Sequence, residues 1–175
     1  MTVLLIASSL LYLRISRSIS AIREIERLGG LVQLQTRSPK WLDTYLGDEW
    51  IWAFRKPLRI ELHGPKIDDA TLQTVSDLNT VKSIVIYDTR ITDAGLKSLA
   101  QMPNLETLLI QKSRITDAGL KHLTHLPALK DLWLIDTEVT DDGFAELQRA
   151  MPWLWPIDGE QYAPVGRDRT RPGLE

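Results

Sequence analysis

Ile91-Thr92-Asp93-Ala94-Gly95-Leu96 recurs letter for letter as Ile115-Thr116-Asp117-Ala118-Gly119-Leu120. Looser copies stand at Ile67-Asp68-Asp69-Ala70-Thr71-Leu72 and Val139-Thr140-Asp141-Asp142-Gly143-Phe144, so the leading aliphatic residues fall at 67, 91, 115 and 139, a constant period of 24. A fixed period of about 20 to 50 residues marks an array of stacked units, none of which buries its apolar face alone. The phrase therefore decides the architecture before any single residue is assigned a role.

Aligned on that period, the chain resolves into columns. Ahead of each phrase lies a strand-like aliphatic run: Leu58 to Leu62, Val81 to Ile86, Leu105 to Ile110 and Leu129 to Leu134. The last three fit L-x-x-L-x-L-x-x-T-x-I, with Thr89, Ser113 and Thr137 in a hydroxyl column where a buried oxygen satisfies backbone groups of the turn. The first copy is irregular, with Pro57 in the leading column and Pro65 in the hydroxyl column. Asp68, Thr92, Thr116 and Thr140 occupy a helix N-cap column, and Asp69, Asp93, Asp117 and Asp141 follow in the first turn, where a carboxylate favours the positive end of the helix dipole. Leu72, Leu96, Leu120 and Phe144, then Val75, Leu99, Leu123 and Leu147, form the inward helical face, and Pro103 and Pro127 open the return to the next strand.

These phrases, followed by x-x-L-x-x-(L/M)-P-x-L, resemble the leucine-rich-repeat family, in particular the T-D-A-G-L repeats of bacterial, planctomycete-type membrane-anchored proteins. They are similar more distantly to the cysteine-containing repeats of F-box proteins. The likeness covers residues 58–157. It implies an α/β fold, a right-handed solenoid with a concave parallel sheet and helices on the convex side, preceded by an N-terminal helix. It implies no particular ligand.

The flanks divide the remainder. Residues 1–28 read as an N-terminal apolar and then amphipathic helix, closed by Gly29-Gly30. Met1 to Leu13 carries no charge and spans roughly 20 Å as a helix, short of a hydrocarbon core of about 30 Å. It fits a buried helix, a signal-peptide core or a minimal anchor. No basic residue precedes it and no Ala-x-Ala follows, which favours an uncleaved anchor over a cleaved signal. The expectation is a single-pass membrane tether through residues 1–20, with Arg14, Arg17 and Arg23 placing the repeats on the cytoplasmic side. The alternatives are a soluble or secreted chain whose helix packs on the repeats. Residues 29–57 read as an N-terminal cap, with a strand at Leu31 to Gln35, a helix from Lys40 to Leu46 and a strand-like run from Trp50 to Phe54. Residues 58–157 hold the repeats and a C-terminal cap in which Trp153 or Trp155 covers the last turn. Residues 158–175 read as a flexible tail.

Composition excludes more than it assigns. The 175 residues carry a formal charge of −2, with 25% charged and 43% hydrophobic, and nothing in that balance calls for nucleic acid. The absence of cysteine removes disulfides, thiolate metal sites and a cysteine nucleophile. His122 and His125 have the i, i+3 spacing of two helical ligands, but Ser98, Gln101, Glu146 and Arg149 fill the same columns, which marks an outer face. His63 has no nucleophile beside it, and no phosphate loop or nucleophile elbow is present. The reading is a non-enzymatic chain with no cofactor, no metal and no small-molecule substrate.

Binding has better support. Residues between the buried positions of each strand face away from the helices. One such column runs Glu61, Val85, Leu109, Trp133, and its neighbour His63, Tyr87, Gln111, Ile135. The expected partner-binding residues are therefore Val85, Tyr87, Leu109, Gln111, Trp133 and Ile135, an apolar strip of the kind that contacts proteins, unless a flank of the chain covers it. An alternative role is a structural spacer or assembly subunit that self-associates through the N-terminal helix.

Overall fold

The computed structural model describes residues 2–36 and 55–157. The expected helix from Lys40 to Leu46, the run from Trp50 to Phe54 and the tail 158–175 lie outside the described residues. The chain order is α1 (Thr2–Arg27), β1 (Leu31–Thr36), β2 (Arg55–His63), α2 (Asp69–Ser76), β3 (Ser83–Tyr87), α3 (Asp93–Leu99), β4 (Thr107–Gln111), α4 (Asp117–Leu123), β5 (Asp131–Ile135), α5 (Asp141–Ala150) and β6 (Trp155–Ile157). The fold is α/β. The six strands form one sheet in chain order, antiparallel between β1 and β2 and parallel from β2 onward.

The register carries the sequence period into space without slippage. Ile84 pairs with Leu108 and Leu108 with Leu132, while Val85, Leu109 and Trp133 pair in the same way one position on. Alternate residues thus turn to opposite faces. Ile60, Leu62, Ile84, Ile86, Leu108, Ile110 and Leu132 are buried in one core with Leu72, Val75, Leu96, Leu99, Leu120, Leu123 and Leu147 of the helices. Phe144 departs from its column by being only half-buried, and among the described residues no helix follows α5 to cover it. β3, β4 and β5 each begin two residues later than the aliphatic runs: Val81, Leu105 and Leu129 are buried in the preceding turns rather than in the ladder.

β2, β3, β4 and β5 are each followed by a residue with positive φ: Gly64 at 93°, Asp88 at 52°, Lys112 at 50° and Asp136 at 51°. The amides of Gly64, Asp88 and Lys112 donate to Tyr87, Gln111 and Ile135 carbonyls of the next strand, so the turn extends the ladder by one rung. Thr89 and Ser113 then turn inward and are buried, their hydroxyl oxygens 3.3 Å apart, and Ser113 Oγ also donates to the Gln111 carbonyl. The hydroxyl column is thus a stacked polar pair inside the turn, as its position in the pattern requires.

α1 corrects the localisation expected from the sequence. It is 26 residues long, yet no helix among the described residues is long and apolar enough to cross a membrane. The uncharged run ends at Leu13, and Arg14, Arg17, Arg23, Glu24, Glu26 and Arg27 fill the second half. That half is also committed elsewhere: Ala21, Ile22 and Ile25 are buried in the protein core, and Ile15, Ile19 and Leu28 are half-buried. A single-pass anchor through residues 1–20 is therefore not supported. Gly29, at φ 100°, ends the helix, and Gly30 donates to the Ile25 carbonyl at 2.9 Å where a side chain would strike Ile25 Cγ2.

At the other end the fifth turn forms a true strand rather than only a cover. β6 pairs Trp155, Pro156 and Ile157 with Asp131, Leu132 and Trp133. Trp153 is tied down by its Nε1, which donates to the Leu129 carbonyl at 3.2 Å, although its ring remains largely exposed.

Candidate functional site

Two features compete for a function, the column of aspartates and the sheet face opposite the helices. Asp69, Asp93 and Asp117 are explained by contacts between repeats. Asp69 accepts the Thr92 amide at 2.8 Å and the Thr92 hydroxyl at 2.7 Å; Asp93 takes the same two bonds from Thr116 at 2.8 and 2.6 Å, and Asp117 from Thr140 at 2.8 and 2.7 Å. Each threonine oxygen in turn accepts an amide of its own helix, from Ala94, Ala118 or Gly143. The N-cap hydroxyl is therefore a relay: it receives one helix and donates to the carboxylate of the helix before it. The caps expected at Asp68, Thr92, Thr116 and Thr140 are all present.

This contact accounts for the glycine column and for two departures of the first phrase, Thr71 and Asp68. A Cβ at Gly95, Gly119 or Gly143 would collide with Asp69, Asp93 or Asp117 respectively. In the first repeat Thr71 replaces the glycine, and one period before Asp69 stands Tyr45, so that column holds no aspartate upstream. For the same reason the cap there needs no hydroxyl donor, and Asp68 accepts the Thr71 amide at 3.1 Å in a capping box.

The Asp117 carboxyl is held below its ordinary pKa, first by the Thr140 hydroxyl, then by the Thr140 amide, with burial opposing and Lys121 assisting. A depressed folded-state pKa means the unfolded chain binds its proton first, so this contribution is whole above the ordinary carboxylate range and drains away as pH falls through the folded value. In Asp117→Asn the slope of unfolding free energy against pH on the acid limb should be shallower than in the parent, as read by urea titrations at successive acid pH values. An unchanged slope would show that Asp117 titrates alike in both states.

The sheet face is built from three columns. Arg59, Ser83, Thr107 and Asp131 lie at the strand entrances, Glu61, Val85, Leu109 and Trp133 along the middle, and His63, Tyr87, Gln111 and Ile135 at the exits, all paired in register. The N-terminal corner is polar and satisfied, since Arg59 Nε donates to Glu61 at 2.8 Å. At the strand entrances, just outside the ladder, Glu106 accepts from both Lys82 and Lys130, which holds its carboxyl below the usual range. The middle is apolar. Val85, Leu109, Trp133, Ile135 and Gln111 are each half-buried, and Tyr87 is 44% exposed. Half-burial follows from strand spacing: side chains about 4.8 Å apart on a flat face cover one another's flanks and leave their tips in solvent. The six residues singled out in the sequence thus come together on one face.

On the helical side two open clefts of about 220 and 390 Å³ lie between α4 and α5 and between α1 and α2. Among the described residues no group of three His, Asp or Glu side chains is arranged to hold a metal ion. His125 Nδ1 lies 3.3 Å from the neighbouring Thr124 hydroxyl. Comparison with known proteins gives no matching family model and no significantly similar curated protein.

Proposed function

We propose that the chain is a leucine-rich-repeat solenoid acting as a non-enzymatic scaffold, its protein partner lying across Val85, Leu109 and Trp133 with Tyr87, Gln111 and Ile135 alongside. The observation that carries the reading is the register Glu61–Val85–Leu109–Trp133, which makes a charged column grow steadily more apolar and aromatic along the sheet. Repetition explains the buried columns, because a stack needs the same core in every layer. It does not explain a changing outer column. Tryptophan and tyrosine are common anchors of interfaces, each worth about 2 kcal/mol or more when central.

Capture from native extract on the immobilised protein, identification of the retained species and titration with the purified partner test this directly. Trp133→Glu should weaken that titration about thirtyfold or more, with far-ultraviolet circular dichroism and melting preserved. Tyr87→Ala, at the most exposed position of the strip, provides a second variant should Trp133→Glu disturb folding. Undiminished affinity in both, with the fold intact, would remove the partner from this face.

A further inference from the structure

Beyond the turn that closes each strand, the same stacking lines up a row of charge. Lys66, Arg90 and Arg114 occupy equivalent positions one period apart, Glu138 ends the row, and all four are exposed. Backbone contacts keep these turns in step: Arg90 N donates to the Ile67 carbonyl at 3.0 Å, Glu138 N to the Ile115 carbonyl at 2.9 Å, and bridges join Thr92 with Arg114 and Thr116 with Glu138. Neighbouring members are therefore held near strand spacing, about 4.8 Å at the backbone. Among the described residues none of the three cations forms an ion pair.

Lys112 adds a fourth positive charge. It takes a left-handed φ of 50° where other repeats have glycine or aspartate, a conformation that offers lysine no local side-chain compensation. Its ammonium lies 5.9 Å from the Tyr87 ring centroid, leaning one repeat back over the edge of the apolar strip. The acids close by in sequence are Asp68 and Asp69 beside Lys66, Asp88 and Asp93 beside Arg90 and Asp117 beyond Arg114, and among the described residues none is ion-paired with these cations.

We infer that the partner of the open face is an extended acidic protein segment, its carboxylates along Lys66, Arg90, Arg114 and Lys112 and an aliphatic or aromatic side chain on Leu109 and Trp133. This rests on the interaction reading above. Like charges stacked at strand spacing repel, and carboxylates from outside relieve that repulsion while matching the guanidinium fork. A nucleic acid fits less well. The basic stretch lasts three repeats, and Asp136, Glu138 and Asp142 then stand where the preceding repeat has Lys112, Arg114 and Ala118, against any polyanion running the length of this edge. The reversal also orients a peptide, with its acidic part over the early repeats and a neutral or basic part over the last.

The intact protein is presented with a displayed peptide library, and the best binder is remade with a fluorescent label. Asp and Glu beside a bulky apolar residue should be enriched. A Lys66→Gln, Arg90→Gln, Arg114→Gln triple variant, unchanged in circular dichroism, should bind roughly tenfold more weakly and lose most of its salt dependence. Binders without acidic enrichment, undiminished binding by the triple variant, or tighter binding of a single-stranded oligonucleotide than of any peptide would each overturn the inference. Binding lost in the triple variant but kept in Trp133→Glu would uphold the acidic partner and refute the apolar face as its seat. No binder at all would defeat both.

Discussion

Gly119→Ala is expected to destabilise the protein by about 1 to 2 kcal/mol, and the same change on an Asp93→Ala background to stabilise it by a few tenths to about 1 kcal/mol. The sign decides between two effects. Within a helix, glycine to alanine normally gains up to about 1 kcal/mol, because glycine loses more backbone entropy on ordering. Here the new methyl would enter the space of the Asp93 carboxylate and press on Leu96 Cδ1 at 3.2 Å. Asp93 then has to swing out and release the Thr116 amide and hydroxyl, held at 2.8 and 2.6 Å. Hydrogen bonds to a charged acceptor are worth about 1.5 to 3 kcal/mol each when buried, and roughly half that at this half-exposed position. Their loss outweighs the propensity gain. With Asp93 already alanine those bonds are gone, only the flexible Leu96 methyl must yield, and propensity wins. Urea unfolding of the four proteins of this cycle gives a coupling energy well outside the few tenths of additive error. A stabilising Gly119→Ala in the parent would mean that the aspartate and glycine columns are independent.

That coupling also shows where sequence reading stops. The strand and helix of every repeat, the N-caps at Thr92, Thr116 and Thr140, the buried faces and two of the three outer columns were legible, because each follows from a periodicity of side-chain direction within one unit. The role of Asp93 was not. Its partners lie 23 residues on, in the next layer, and a column alignment shows which residues are equivalent without showing which layer each one touches. A clue was present in the joint exception: the repeat with Tyr45 rather than an aspartate one period upstream is the one that dispenses with both the glycine and the threonine cap, at Thr71 and Asp68. The basic row of Lys66, Arg90 and Arg114 follows from the same columns. The N-terminal helix failed for a different reason. Met1 to Leu13 invites a membrane reading taken alone, but the helix continues through a charged half whose Ala21, Ile22 and Ile25 belong to the core.

Excising residues 92–115 should leave a folded, cooperative protein of lower stability, whereas excising 92–103 should abolish cooperative unfolding. The first cut removes one period and joins Ile91 to Thr116, restoring an Ile-Thr-Asp-Ala-Gly-Leu phrase across the junction. Asp69 then meets Thr116 and Gly119 in place of Thr92 and Gly95, so the interlayer contact is regenerated with the same residue types. β3 comes to lie against β5, with Ile84 beside Leu132 and Ile86 beside Leu134, preserving the in and out faces. In an array whose units touch only their neighbours, the cost is one unit and one interface, read as a lower denaturant midpoint and a smaller m value. The shorter cut has the opposite consequence despite removing less chain. It deletes α3 and joins Ile91 to Asn104, leaving too little chain between Tyr87 and Thr107 for the crossover of about a dozen residues or more that parallel neighbours require. The core also loses Leu96, Leu99 and Met102, all fully buried, and Gly119 faces no aspartate. Similar loss of stability in the two deletions would refute the layered scheme; a smaller penalty for the longer deletion is an outcome that only a register-locked repeat produces.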